Sequence, residues 1–236
     1  LYDVDGMDNN SHSGPGTGAF TSQLFWDYYA FTGDEEILRT LTYPVISSMS
    51  KFLSKVLVEQ EGAFLTKYSA SPEQTQKING TDEYLPTTGC AFDHQIIYEN
   101  YKNTIQAADQ LQIDDPIVEL AREQIDRLEP VLVGESGQVK EYREERMYGE
   151  LGEYHHRHVS QLVGLYPGTI INKHTPEWME AAKVTLNLRG DQSTGWAMAH
   201  RLNLWARTGD GNRAYHLYQT LLKRGTLPNL WDTHPP

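Results

Sequence analysis

The chain has 236 residues, 39% of them hydrophobic, and its 5 Trp, 14 Tyr and 6 Phe supply enough apolar surface for a sizeable core, which argues against disorder over most of its length. Acidic residues outnumber basic ones 32 to 20, and the net charge of −12 argues against a nucleic-acid partner, which would need clustered Lys and Arg. The single cysteine, Cys90, excludes an intrachain disulfide framework and a Cys-based zinc module, and no run approaches the ~18 consecutive apolar residues of a membrane span.

In chain order, residues 1–16 hold Gly, Asn, Asp, Ser and His without periodicity. Phe20, Leu24, Tyr28 and Phe31 then recur at helical spacing, and the helix they predict ends at Gly33-Asp34. After Pro44, residues Val45, Met49, Phe52, Leu53 and Val56 share one helical face. Residues 62–88 exceed the usual length of a structureless connection; Phe64-Leu65-Thr66 is a candidate short strand, with no strong hairpin signal around it. Ile97, Tyr101, Ile105 and Ala108 predict the next helix, and Val118, Ala121, Ile125 and Leu128 another. A second long connection covers residues 130–156. Thr175-Pro176-Glu177 reads as a helix start, with an N-cap hydroxyl, proline in the first turn and an acid at the positive end of the dipole. A helix from about Thr194 to Thr208 stops at Gly209-Asp210-Gly211, and Ala214, Leu217, Tyr218 and Leu221 mark the last one. About seven helices, joined by alternating short and long connections, predict an all-α toroid or solenoid of helix pairs. Leu1 is not an initiator Met, and the stretch from Leu230 to Pro236 is not tail-like, so both ends read as internal to a longer polypeptide.

Four segments hold chemistry. In Ser71-Pro72-Glu73-Gln74, Ser71 reads as an N-cap, Pro72 as a first helical residue and Gln74 as a capping-box partner; a functional Glu73 would instead be a general acid with a pKa raised by burial. Tyr154-His155-His156-Arg157-His158 supports three readings: a metal site, for which the histidine spacing is poor; a structural hydrogen-bond cluster; or a site for a polar ligand such as a sugar or carboxylate. Trp196, His200, Asn203 and Arg207 form a polar stripe beside the apolar Met198, Leu202 and Trp205, facing either solvent or the centre of a helical barrel. Asn229-Leu230-Trp231-Asp232-Thr233-His234 carries side chains common in sugar sites, or is simply a loop. Asn9-Asn10-Ser11 and Asn79-Gly80-Thr81 match the N-glycosylation acceptor pattern.

Together these passages resemble the catalytic domain of glycoside hydrolase family 95, the α-L-fucosidases acting on terminal 1,2-linked fucose, with some members acting on L-galactose. The resemblance rests on Thr32-Gly33-Asp34 after Trp26-Asp27-Tyr28-Tyr29-Ala30-Phe31, and on Ser71-Pro72-Glu73 followed by Phe92-Asp93-His94-Gln95-Ile96-Ile97. It rests further on His156-Arg157-His158-Val159-Ser160 running to Gly164-Leu165-Tyr166-Pro167-Gly168. It is completed by Leu188-Arg189-Gly190-Asp191, Thr194-Gly195-Trp196, Asn203-Leu204-Trp205-Ala206-Arg207 and Pro228-Asn229-Leu230-Trp231-Asp232-Thr233-His234-Pro235-Pro236.

The resemblance implies an (α/α)6 barrel, incomplete in this chain, with residues 1–236 forming part of one catalytic domain. It implies an inverting exo-glycosidase in which one carboxylic acid protonates the glycosidic oxygen and a base activates water on the opposite face, the two carboxyls of such chemistry being about 6.5–9.5 Å apart. Glu73 takes the place of the general acid, and Arg157, His158 and His234 match sugar-contacting positions. The implied partner is a fucosylated oligosaccharide or glycan; no cofactor or metal is implied; the sequence itself does not give the location, and a secreted or periplasmic one is the expectation from function alone. The family's water-activating asparagines lie upstream of this chain and their aspartate lies just beyond Pro236, so the 236 residues alone are expected to be inactive, and Asp232 is not given that role. Met7 stands where the family has a pocket tryptophan, and Gln161 where it has a histidine after Ser160. An α-L-galactosidase and a non-catalytic sugar-binding toroid are the alternatives.

Overall fold

The computed structural model describes residues 14–83, 87–145 and 155–234; Met7, Asn9 and Tyr154 lie outside them. Among the described residues, seven helices of ten or more residues dominate: α1 (Thr17–Thr32), α2 (Tyr43–Val56), α3 (Ala91–Leu111), α4 (Pro116–Ile125), α5 (Pro176–Arg189), α6 (Gly195–Arg207) and α7 (Gly211–Arg224). The all-α reading therefore holds among the described residues, with neighbouring helices packed in pairs such as α2 on α3 and α6 on α7.

Local chemistry sets the helix ends. Gly33, at φ 66°, takes the left-handed conformation that closes α1 and returns its N–H to the Tyr29 carbonyl. The Asp34 carboxylate then caps the short turn Glu35–Ile37, which continues through a π-helical turn, Leu38–Thr42, into α2 with Pro44 in its first turn. Asp115 caps α4 by accepting from Ile117 N at 3.2 Å, and Asp210 caps α7 by accepting from Arg213 N at 3.0 Å. Thr175 precedes α5 as expected but does not cap it: its hydroxyl accepts from Asn172 N at 2.9 Å and donates back to loop carbonyls.

After α2 the chain forms the expected short strand at Phe64-Leu65-Thr66, but within one of two hairpins that the sequence signals did not predict. In the first, β1 (Leu57–Gln60) pairs with β2 (Ala63–Thr66), Leu57 opposite Thr66. In the second, β3 (Gln76–Ile78) pairs with β4 (Thr81–Glu83). Both turns carry two residues with positive φ, Glu61-Gly62 at 52° and 86° and Asn79-Gly80 at 51° and 84°, the pattern of a type I′ turn. Asn79-Gly80, noticed for its glycosylation pattern, is thus a hairpin signal.

Three apolar clusters support the site. Leu38, Tyr43 and Ile46 pack on Ala107, Leu111 and Ile117 at one end. Leu53, Val56, Ile96, Ile97 and Tyr101 join Ala121 and Leu128 in the middle. Leu162, Leu165, Ile170 and Ile171 pack against Met179, Leu186, Leu204 and Trp205 on the α5–α7 side. Each fully buried side chain of this size contributes about 1.5–3 kcal/mol. The first helix departs from expectation: Ala19, Ser22 and Gln23 are its buried residues, while Phe20, Leu24, Tyr28 and Phe31 are exposed among the described residues. The periodicity identified the helix but not the face it turns to α2 and α3.

Candidate active site

Helix α3 organises the site, because its buried polar residues bind loops rather than solvent. Asp93, fully buried, accepts from Gly16 N at 2.8 Å and Ser69 Oγ at 2.5 Å, tying the start of α1 and the strand-loop region to one carboxylate. Burial, opposed by those hydrogen bonds, pushes its pKa up to about 6. His94 accepts from Thr66 N at 3.2 Å through Nε2, and burial pushes its pKa down to about 4. Gln95 spans the next loop, donating to Gln161 O and accepting from Gly164 N, both at 2.7 Å. Glu99 accepts from Ile170 N at 2.9 Å and pairs with Lys102 at 2.5 Å. These bonds fix residues 161–170, whose Val163, Tyr166 and Pro167 line a cavity of about 570 Å³.

Glu73 stands at that cavity with Pro72, Phe20, Phe92, Thr17, His158, Ser160, Trp196 and His200. Residues 71–74 form a turn and not the expected helix start: Gln74 N bonds Ser71 O at 2.9 Å, while the Ser71 hydroxyl and the Gln74 amide both point to the buried Glu141. Ser160 Oγ donates to Pro72 O at 3.0 Å and holds the turn from the other side.

The Glu73 Oε2 atom receives the Arg157 guanidinium and, at 3.2 Å, His158 Nε2. Burial pushes the Glu73 pKa up, but the His158 hydrogen bond and the Arg157 charge prevail and hold it below the ordinary glutamate value. The raised pKa expected of a general acid is therefore not found in this arrangement, because the neighbouring donors favour the ionised form.

The histidine cluster divides its labour. His156, buried, stacks on His158 at 5.2 Å and accepts the His158 amide at 3.1 Å through Nδ1. Burial and the neighbouring His158 and Arg157 push its pKa down to about 4. His155 lies 3.5 Å from Arg189 O. Among the described residues, no group of three or more His, Cys, Asp or Glu is disposed to hold a metal ion.

The segment is held from below by Arg201 of α6, which is fully buried. Its guanidinium donates to the carbonyls of Gly190 and Gln192, both at 2.9 Å, and of His156 and Arg157 at 3.0 and 3.3 Å. Burial lowers its pKa to about 10, leaving it cationic. Arg201 lies outside the polar stripe of Trp196, His200, Asn203 and Arg207; the available signal was an arginine whose neighbours three and four positions away, Ala197, Met198, Leu204 and Trp205, are all apolar.

Trp196 and His200 of that stripe do line the cavity. Asn203 bonds the Ala199 carbonyl of its own helix at 2.8 Å, and Arg207 lies over the Tyr166 ring at 5.5 Å. The Trp196 ring meets His158 at 4.7 Å and stacks on His234 at 6.5 Å with planes 7° apart. His234 thus joins the site through Trp196. Asp232 accepts from Trp196 N at 3.0 Å and Thr233 O accepts from Gly195 N at 3.1 Å, so the C-terminal segment is fastened to the start of α6.

Two known proteins are similar to this chain over most of its length. Alpha-L-fucosidase 2 of Arabidopsis thaliana is 29% identical over 94% of the chain and 28% of its own length. Probable alpha-fucosidase A of Aspergillus niger is 28% identical over 93% of the chain and 28% of its own length. The chain thus spans little more than a quarter of these relatives. The family model for the glycosyl hydrolase family 95 catalytic domain matches residues 3–236, and the chain belongs to that family.

Proposed function

We propose that this domain serves an inverting exo-glycosidase that removes terminal 1,2-linked α-L-fucosyl residues from oligosaccharides or glycans, with Glu73 as the general acid. The observation that carries the reading is the Glu73 carboxylate at a cavity of about 570 Å³, side by side with the donors Arg157 and His158. The fucosidase names of the two relatives above support the substrate.

The chemistry needs Glu73 protonated when the glycosidic oxygen leaves. Arg157 and His158 hold it ionised. Sugar hydroxyls are acceptors for the same guanidinium and imidazole, so a bound sugar competes with Glu73 for its donors. As the carboxylate loses them while water is excluded, its proton affinity rises and it becomes an acid for the leaving oxygen. Arg157 and His158 then hold the sugar, and His234 contributes from behind Trp196. Phe20, Phe92, Val163 and Pro167 form an apolar wall, which receives the methyl group of a 6-deoxy sugar without leaving a hydroxyl unpaired.

The test is the intact protein on a 2-linked fucosyl disaccharide, followed by NMR. The expected result is free L-fucose appearing first as the β-anomer. No release of fucose, or first appearance of the α-anomer, would overturn the reading.

A further inference from the structure

Glu141 has no place in the chemistry above, yet it is 1% exposed and carries several hydrogen bonds. Ser71 Oγ donates to its Oε1 at 2.5 Å, and Gln74 Nε2 lies 3.3 and 3.4 Å from its two oxygens. Arg189, at the last turn of α5, donates to Oε2 at 3.0 Å, and neither side chain of this pair is more than 2% exposed. Ser71 and Gln74 bracket Glu73. One carboxylate therefore grips the acid-bearing turn on both sides of the acid.

Removing the charges of Glu141 and Arg189 from water is costly, and a buried ion pair is weak evidence for stability by itself. The arrangement is explained by position. Arg189 fixes the carboxylate from α5, the carboxylate fixes the turn, and Arg201 on α6 fixes the backbone of Arg157. The junction between these two helices thereby sets the acid and its partner in one frame. Glu141 is absent from the cavity lining, so it does not meet substrate.

We propose that Glu141, ion-paired to Arg189, is the positioning residue that aims the Glu73 carboxyl at the leaving oxygen. The proposal rests on Glu73 being the general acid. A displacement of about 1 Å in a reacting group can cost ~100-fold in rate. Proton donation matters for a sugar leaving group and little for a dinitrophenolate, which departs without a proton.

The experiment compares E141Q, S71A and E73Q with the unchanged intact protein on two substrates, a 2-linked fucosyl disaccharide and dinitrophenyl α-L-fucoside, with rates normalised to folded enzyme by calorimetry. E141Q is expected to lose roughly 10- to 100-fold in kcat on the disaccharide and less than about threefold on the aryl fucoside. S71A removes one grip without touching the ion pair and is expected to show a smaller loss with the same substrate bias; it decides the matter if E141Q does not fold. Equal losses on both substrates, or none, for E141Q and S71A while E73Q shows the bias would overturn the positioning role alone. Absence of the bias in E73Q would overturn the acid assignment and the positioning role with it.

Discussion

Glu73 and His158 meet through Oε2 and Nε2 at 3.2 Å, on the carboxylate oxygen that Arg157 also binds. This contact makes the candidate acid a carboxylate before it is an acid. Replacing Glu73 by Gln keeps the size and removes the proton. The expected outcome is a 10²- to 10⁴-fold loss of kcat on 2-linked fucosides, the usual contribution of general acid catalysis. Steady-state kinetics on the intact protein checks it, and a near-normal rate would reject the acid role.

Arg157→Met removes the guanidinium that helps hold Glu73 ionised. The Glu73 pKa then rises. Activity that needs protonated Glu73 falls as pH climbs through that pKa, so the alkaline limb of kcat/KM moves to higher pH. The sugar loses a charged donor at the same time, and KM rises roughly tenfold or more. A pH–rate profile of kcat/KM for both proteins measures the shift; an unmoved or lowered alkaline limb would contradict the ion pair's influence.

Gly195 opens α6 with no room for a side chain. A Cβ there would meet Asp232 Oδ1 at 1.7 Å and Gly225 O at 2.8 Å. Gly195→Ala must push away the segment that places His234 against Trp196. The expected result is a stability loss of about 1–3 kcal/mol, the usual cost of overpacking. A several-fold rise in KM for the sugar should accompany it. Denaturant unfolding and kinetics read the two effects separately.

His94 links stability to pH. Its folded pKa of about 4 lies below the ordinary histidine value of 6.5, so its contribution is fully present above pH 6.5 and is lost as pH falls from there to 4. Between pH 7.5 and 5 this amounts to about 2 kcal/mol. His94→Gln retains an acceptor for Thr66 N and has no proton to gain, so its stability falls less over that interval. Urea midpoints at the two pH values decide the matter. Equal pH dependence in both proteins would show that His94 is not the titrating group.

Local sequence sufficed for the helices and for segments whose Glu73, His158, Trp196 and His200 meet at the cavity. Periodicity and the punctuation at Gly33, Pro44, Pro176 and Gly209 act within a few residues, which is the range over which a helix starts and stops. The same patterns did not say that α1 would bury Ser22 and Gln23 and expose Phe31, because that depends on which helices lie beside it. The Glu61-Gly62 and Asn79-Gly80 hairpins were readable in principle from turn chemistry. The ionisation of Glu73 was not. Its partners Arg157 and His158 stand 84 and 85 positions away, and the carboxylate that grips its turn stands 70 positions from Ser71. Charges interact through space over a few ångströms, so only the folded chain decides which groups meet and which proton each one keeps.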